Sequence, residues 1–260
     1  MSLFRPICLI AGNTFTGIIR GAVIQVLLVL AAIMIFAGMS TSAMDPAQVR
    51  QMMIDSGLAG ITIMGAVIAI LTGFTIIPRE VETRTIYPVI SKPVQRWQFV
   101  LGTFGGAILT NAMTIGMLSV LFFIGFWFKN HHQFDNRLVP AVFMIYAMTV
   151  VLSAMIIFFS TFMSWIGTII VSMVVWFIGS YSQFLWDLAM QRSKGITNLP
   201  FMIVQKLIPN FQSMDLRYAI VTLDQQSFHM QQILIPLGNG ALFAVVSLTL
   251  AILIFNYREL

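Results

Sequence analysis

From Leu138 to Trp186 the chain runs 49 residues without an Asp, Glu, Lys or Arg. Soluble domains carry about 25% charged residues and cannot spare so long a stretch. At about 1.5 Å per helical residue, the stretch is too long for one passage through a hydrocarbon core of about 30 Å and suits two. Its polar break is Ser160-Thr161-Phe162-Met163-Ser164-Trp165, where a tight helical hairpin is expected. The rest of the chain follows the same rule. Of its 260 residues 58% are hydrophobic and 9% charged, and the mean hydropathy is +0.92. Too little polar material is left to cover a soluble globule, so the composition points to an integral membrane protein.

The remaining apolar runs complete an all-α, polytopic plan with six transmembrane helices: 21–38, 58–78, 99–128, 138–160, 164–187 and 233–256. An N-terminal interfacial helix is expected over 1–20. Its apolar stripe would be Phe4, Cys8, Ala11, Phe15 and Ile19, and its polar stripe Arg5, Gly12, Asn13, Thr16 and Arg20. Residues 188–232 form the longest polar connection, read as an outer segment of short helices before the last crossing. The whole of 1–260 is read as a single transmembrane domain. Six crossings place both termini on one side. Lys and Arg divide seven to each side, but the segments on the side of the termini are shorter and denser in charge, which favours cytoplasmic termini.

The chemistry that is missing narrows the function. The net charge of +5 is scattered through short loops, as at membrane edges, and is not a nucleic-acid signal. The one cysteine, Cys8, excludes an internal disulfide and a CxxC metal site. No cleavable leader is expected from the first residues. There is no GxxxxGK[ST] phosphate loop and no HExxH. His131, His132 and His229 fall in loops and do not make a metal set. No catalytic residue and no bound metal are expected. No span carries a charge near its centre, which argues against a proton- or sodium-coupled pump. Polar residues within the spans are mild, and their ordinary role is hydrogen bonding between helices. Asn111, Gln183 and Asn239 are the candidates for a substrate path.

One short segment breaks the apolar plan. Residues 79–98 hold Arg79, Glu80, Glu82, Arg84, Lys92 and Arg96, six of the 23 charged residues of the chain. Val81, Ile86, Tyr87, Val89 and Ile90 are interleaved with them. A solvated loop would explain the charges but not these apolar neighbours. A short helix from Arg79 to about Tyr87 would stop before Pro88, and a second would start near Pro93. Charged and apolar groups on a stiff elbow suit a docking surface for a partner protein.

The order Glu80, Glu82, Arg84-Thr85-Ile86, Ser91-Lys92-Pro93-Val94, Arg96 and Gln98-Phe99-Val100-Leu101-Gly102 resembles the loop between the second and third crossings of type-2 ATP-binding-cassette (ABC) transporter permeases. Asn13-Thr14-Phe15 with Arg20, and Leu207-Ile208-Pro209-Asn210-Phe211 with Asp215, are similar to further segments of that family. Thr103 stands where the family often has Lys. The resemblance implies an exporter permease subunit in a bacterial inner membrane, not itself an enzyme. It implies that residues 79–98 are a coupling loop docking a separate ATPase through Glu80, Glu82, Arg84, Thr85, Tyr87, Lys92 and Arg96. It implies a second permease copy or related chain beside it, with ATP and magnesium held in the ATPase and no cofactor in this chain. The competing reading is a non-transporting membrane scaffold that recruits a cytoplasmic partner through the same loop. A membrane-embedded enzyme comes third, for want of converging catalytic groups.

Overall fold

A computed structural model of the chain describes residues 5–39, 46–82, 96–129, 135–185, 208–217, 220 and 230–257. Among the described residues the fold is all helical, with no strand. The helices are α1 (Arg5–Ile19), α2 (Ala22–Met39), α3 (Pro46–Glu82), α4 (Arg96–Lys129), α5 (Leu138–Ser160), α6 (Trp165–Ser180) and α7 (Met230–Tyr257). A 3-10 turn, Gln212–Met214, lies between α6 and α7. Helix is the outcome that the composition demands, because backbone polar groups in lipid must be paired within their own segment.

Close approaches fix the register. Gly60 of α3 meets Ile35 of α2, and Gly65 of α3 meets both Ile115 of α4 and Thr149 of α5. Gly57 lies under the ring of Phe122, so α3 and α4 run antiparallel. Gly73 against Ile156 makes α3 and α5 parallel, and Gly240 of α7 sits at the level of Val151. One end of the bundle thus gathers the end of α3, the start of α4, the α5–α6 turn and the end of α7. The other end gathers the start of α3, the end of α4, the start of α5, the end of α6 and the start of α7.

By length and composition four helices can cross a membrane: Gln48–Gly73, Trp97–Lys129, Leu138–Ser160 and Met230–Asn256. Helices α1, α2 and α6 are shorter apolar helices. The count among the described residues is therefore four where six were expected. Two helices are longer than their apolar runs. The run 58–78 lies inside α3, whose 37 residues measure about 55 Å. The run 99–128 lies inside α4, whose 34 residues measure about 51 Å. Both outreach a core of about 30 Å. Within the helix expected over 164–187, α6 breaks after Ser180, where Tyr181 leaves the helical region with φ −114° and ψ 22°, and residues 182–185 are helical again. Just beyond it, Ser182 and Gln183 donate hydrogen bonds to residues 210 and 212.

The α5–α6 turn is local chemistry. The hydroxyls of Ser160 and Thr161 fold back on the carbonyls of Ile157 and Phe158 at 2.7 Å each. Ser164, extended at ψ 163°, caps α6 by accepting from the Gly167 N–H at 3.4 Å. Helix α1 packs along the first turns of α4. The face that meets α4 carries Ile10, Ala11 and Thr14. Of the expected apolar stripe Ala11 is buried, Cys8 is exposed and Phe15 and Ile19 are half-buried, while Phe4 lies outside the described residues. The stripe is rotated because the small residues of α4, not the polarity of α1, select the contact.

Two apolar clusters hold the bundle. The larger takes Ile35, Leu58, Ile61, Leu118, Phe122, Met144, Leu152 and Phe211, among others. The smaller joins Phe99 and Val100 of α4, Ala154 and Ile157 of α5, and Ala244, Leu248, Ala251 and Phe255 of α7. Large apolar side chains such as Ile33, Val120, Ile170 and Leu242 remain exposed, as a lipid-facing surface requires. A Cβ at position 57 would collide with Phe122. Gly57→Leu should therefore cost about 1–3 kcal/mol, the usual range for overpacking. Thermal unfolding in detergent should show a lowered Tm, partly restored by adding Phe122→Ala. Independent, additive losses would show that the two sites do not touch.

Candidate functional site

Of the loop residues singled out by sequence, Glu80 and Glu82 stand in the last turn of α3 and Arg96 is the first residue of α4. Arg84, Thr85, Tyr87 and Lys92 lie outside the described residues. The backbone of α3 stays helical through Pro78 to Glu82, so the expected separate helix from Arg79 is, over 79–82, the end of the crossing itself. Past Arg96 the chain is anchored rather than loop-like. Gln98, Phe99 and Val100 are buried, and the Phe99 ring stacks on Phe255 of α7 with centroids 6.0 Å apart. The motif Gln98-Phe99-Val100-Leu101-Gly102 thus serves packing, and the charged half precedes it.

The three substrate-path candidates do not form one site. Asn111 is buried between α4 and α5, where its Nδ2 donates to Ser153 Oγ at 2.8 Å and to the Thr149 carbonyl at 3.3 Å. Ser153 Oγ donates onward to the Thr149 carbonyl at 2.9 Å. Among the described residues Asn111 Oδ1 has no hydrogen-bond partner, nor have the buried Ser172 Oγ and Trp176 Nε1. Gln183 is exposed past the end of α6, and its backbone N–H donates to Gln212 Oε1 at 3.0 Å. Asn239 is exposed on α7. Most other buried hydroxyls, such as Thr62, Thr110 and Thr168, return to the carbonyl one turn back.

The opposite end of the bundle carries an ion pair that sequence reading did not single out, and a docked segment that it marked only by resemblance. Arg50, near the start of α3, donates to Asp135 at 2.6 Å, just before α5. Asp135 also accepts from the Arg137 backbone N–H at 3.0 Å. Residues 208–217 dock across α6 and α7. Phe211 is 1% exposed and fills the notch at Gly179, where a Cβ would come within 2.5 Å of its ring and 2.7 Å of the Pro209 carbonyl. Met214 fills the corresponding notch at Gly240. Asn210 Oδ1 accepts from Ser182 Oγ at 2.9 Å and from the Ser213 N–H at 3.1 Å.

Arg217 forks onto Asp215, with Nε at 2.8 and 2.7 Å from the two carboxylate oxygens. Burial pulls its pKa down. The hydrogen bond and charge of Asp215, with the charges of Asp55 and Tyr181, outweigh that and leave the guanidinium above its ordinary value. The similarity of Pro209-Asn210-Phe211 with Asp215 to a family segment was the available signal for this docked segment. Its seat could not be read, because the glycines that form it are far away in the sequence. Among the described residues no three of His, Cys, Asp and Glu come together to hold a metal ion. Phe211→Ala should leave a cavity costing about 3–5 kcal/mol. The segment should then loosen, and the bond after Arg217 should be cut faster by trypsin in detergent-purified protein. An unchanged cleavage rate would mean that Phe211 does not hold the segment.

The family model of the ABC-2 family transporter protein matches residues 10–260. No curated protein matches the chain. Apolar helices of spanning length, a charged segment between the second and third apolar runs, and a family match over nearly the full chain agree with one another. The chain belongs to the ABC-2 family of transporter proteins, the membrane permeases of type-2 ABC transporters.

Proposed function

We propose that this chain is the membrane-spanning subunit of an ABC exporter, moving its substrate with ATP hydrolysed by a separate ATPase subunit. The observation that carries the reading is the match to the ABC-2 family over residues 10–260, joined to the position of the charged segment. That segment begins on the last turn of α3 and ends on the first residue of α4, at the ends of two helices that outreach a bilayer. In this reading Glu80, Glu82, Arg84, Thr85, Tyr87, Lys92 and Arg96 face the ATPase. ATP and magnesium are bound there. Residues 79–98 pass the ATPase closure to the crossings as a rigid-body shift.

Two copies, or this chain and a related one, make the working unit, in a bacterial inner membrane with cytoplasmic termini. The shorter helices α2 and α6 complete six crossings with the four long ones, aided by tilt and local thinning of the bilayer. Asn111, which also ties α4 to α5, Gln183 and Asn239 are the candidates for the path.

Affinity purification of the chain from its native membrane should bring down an ATPase subunit. In the Glu80→Ala, Glu82→Ala, Arg84→Ala variant, complex formation or ATP turnover should fall about tenfold or more, equivalent to losing about 1.4 kcal/mol of interface free energy. Unchanged assembly and turnover would remove these residues from the docking surface. ATP-dependent movement into sealed inverted vesicles separates the exporter from a scaffold.

A further inference from the structure

Helix α7 carries two opposite stripes. Facing inward, Ala244, Leu248, Ala251 and Phe255 pack into the smaller cluster. Facing outward, Ile235, Asn239, Leu242, Val246, Thr249 and Leu253 are all exposed. The steps between these six alternate between four and three residues. That alternation is the seam of helices that pack along their length as in a coiled coil, a crossing that membrane bundles share.

The amide of the outward stripe stands near mid-depth. Gly240, the next residue, is level with Val151, and α5 runs from Leu138 to Ser160, so its middle is residue 149. An exposed amide at that depth faces hydrocarbon, which can pair with neither its donor nor its acceptor. Thr249, the other polar member of the stripe, already returns its hydroxyl to the Val246 carbonyl at 2.8 Å. Beside Asn239, a Cβ at position 238 would meet nothing within 4 Å. Gly238 thus leaves room for a second helix to come close, as small residues do between helices in lipid.

The chemistry of the stripe selects its occupant. An amide is its own complement, because its NH2 donates and its carbonyl accepts. Two copies upright in one membrane and related by a two-fold axis bring α7 alongside its equivalent in parallel, with residue 239 facing residue 239 at equal depth. A single Asn in an otherwise apolar seam is the device that fixes the register and copy number of a coiled coil. No charge opposes the pairing, since Met230–Tyr257 holds no Asp, Glu, Lys or Arg.

We propose that the outward stripe of α7 is the contact between two copies of this chain, with Asn239 of each amide-paired to its equivalent. The inference rests on the reading that two copies make the working unit, and it names the face by which they meet. It places Asn239, a candidate for the path, on the seam between the copies.

Cys8, the only cysteine of the chain, is first replaced by Ser. Single cysteines then enter the stripe as Leu242→Cys or Val246→Cys. Ile33→Cys of α2, Val120→Cys of α4 and Ile170→Cys of α6 serve as exposed positions elsewhere. Oxidation of membranes holding the full chain should link two copies through positions 242 and 246 and not through the other three. In the Cys8→Ser chain, Asn239→Ala should weaken dimerisation in detergent about three- to tenfold, the range for a hydrogen bond between helices in lipid. Asn239→Gln, which keeps the amide, should restore most of it. Linking through position 33, 120 or 170 with none through α7 would overturn the α7 contact, as would an Asn239→Ala dimer as strong as its parent. Both results leave the two-copy reading standing. A chain that is monomeric by mass and links through no position overturns the two-copy reading as well.

Discussion

Every part of this molecule answers to one constraint: in lipid, the hydrophobic effect cannot press helices together. What holds them is close approach and the few hydrogen bonds that cross between them. The layer through Gly65, Ile115 and Thr149 shows the first device, with three helices meeting where α3 has no side chain. Asn111 on Ser153 and Thr149 shows the second. The first joins α3, α4 and α5, and the second joins α4 to α5.

The same rule produces two clusters rather than one core. Small residues allow contact only where they fall, so the bundle packs in patches. The start of α4, the end of α5 and the second half of α7 form one patch around Phe99 and Phe255. The rest packs around Phe122, Leu152 and Phe211. The far end is held by different means. There Phe211 and Met214 plug the notches at Gly179 and Gly240, and Asp135 and Asp215 pair with arginines.

Much of the architecture was legible in advance because helix length in a membrane is a matter of counting apolar residues. The run 138–160 coincides with α5, and the polar break at 160–165 is the observed turn. Where the sequence misled, the cause was tertiary. The break in the helix after Ser180 lies where Ser182 and Gln183 bond to residues 210 and 212, nearly thirty positions away in sequence. The extension of α3 to Glu82 runs through a proline that the apolar count placed at the edge of a crossing. The contact face of α1 was misjudged because its polarity pattern says nothing about the glycines opposite it. Asn111, Gln183 and Asn239 looked equivalent as polar residues in apolar runs, yet one is a buried interhelical tie and two are exposed.

The sequence by itself determined the solvent, the secondary structure and the family. Uncharged runs of this length admit only helices in lipid, and the family model matches the sequence over residues 10–260. It could not determine which face of each helix meets which neighbour, because a helix that is apolar all round carries no amphipathic signal to orient it. Only the tertiary structure decided that, through the positions where glycine lets one backbone rest against another and where an amide finds a hydroxyl across the gap.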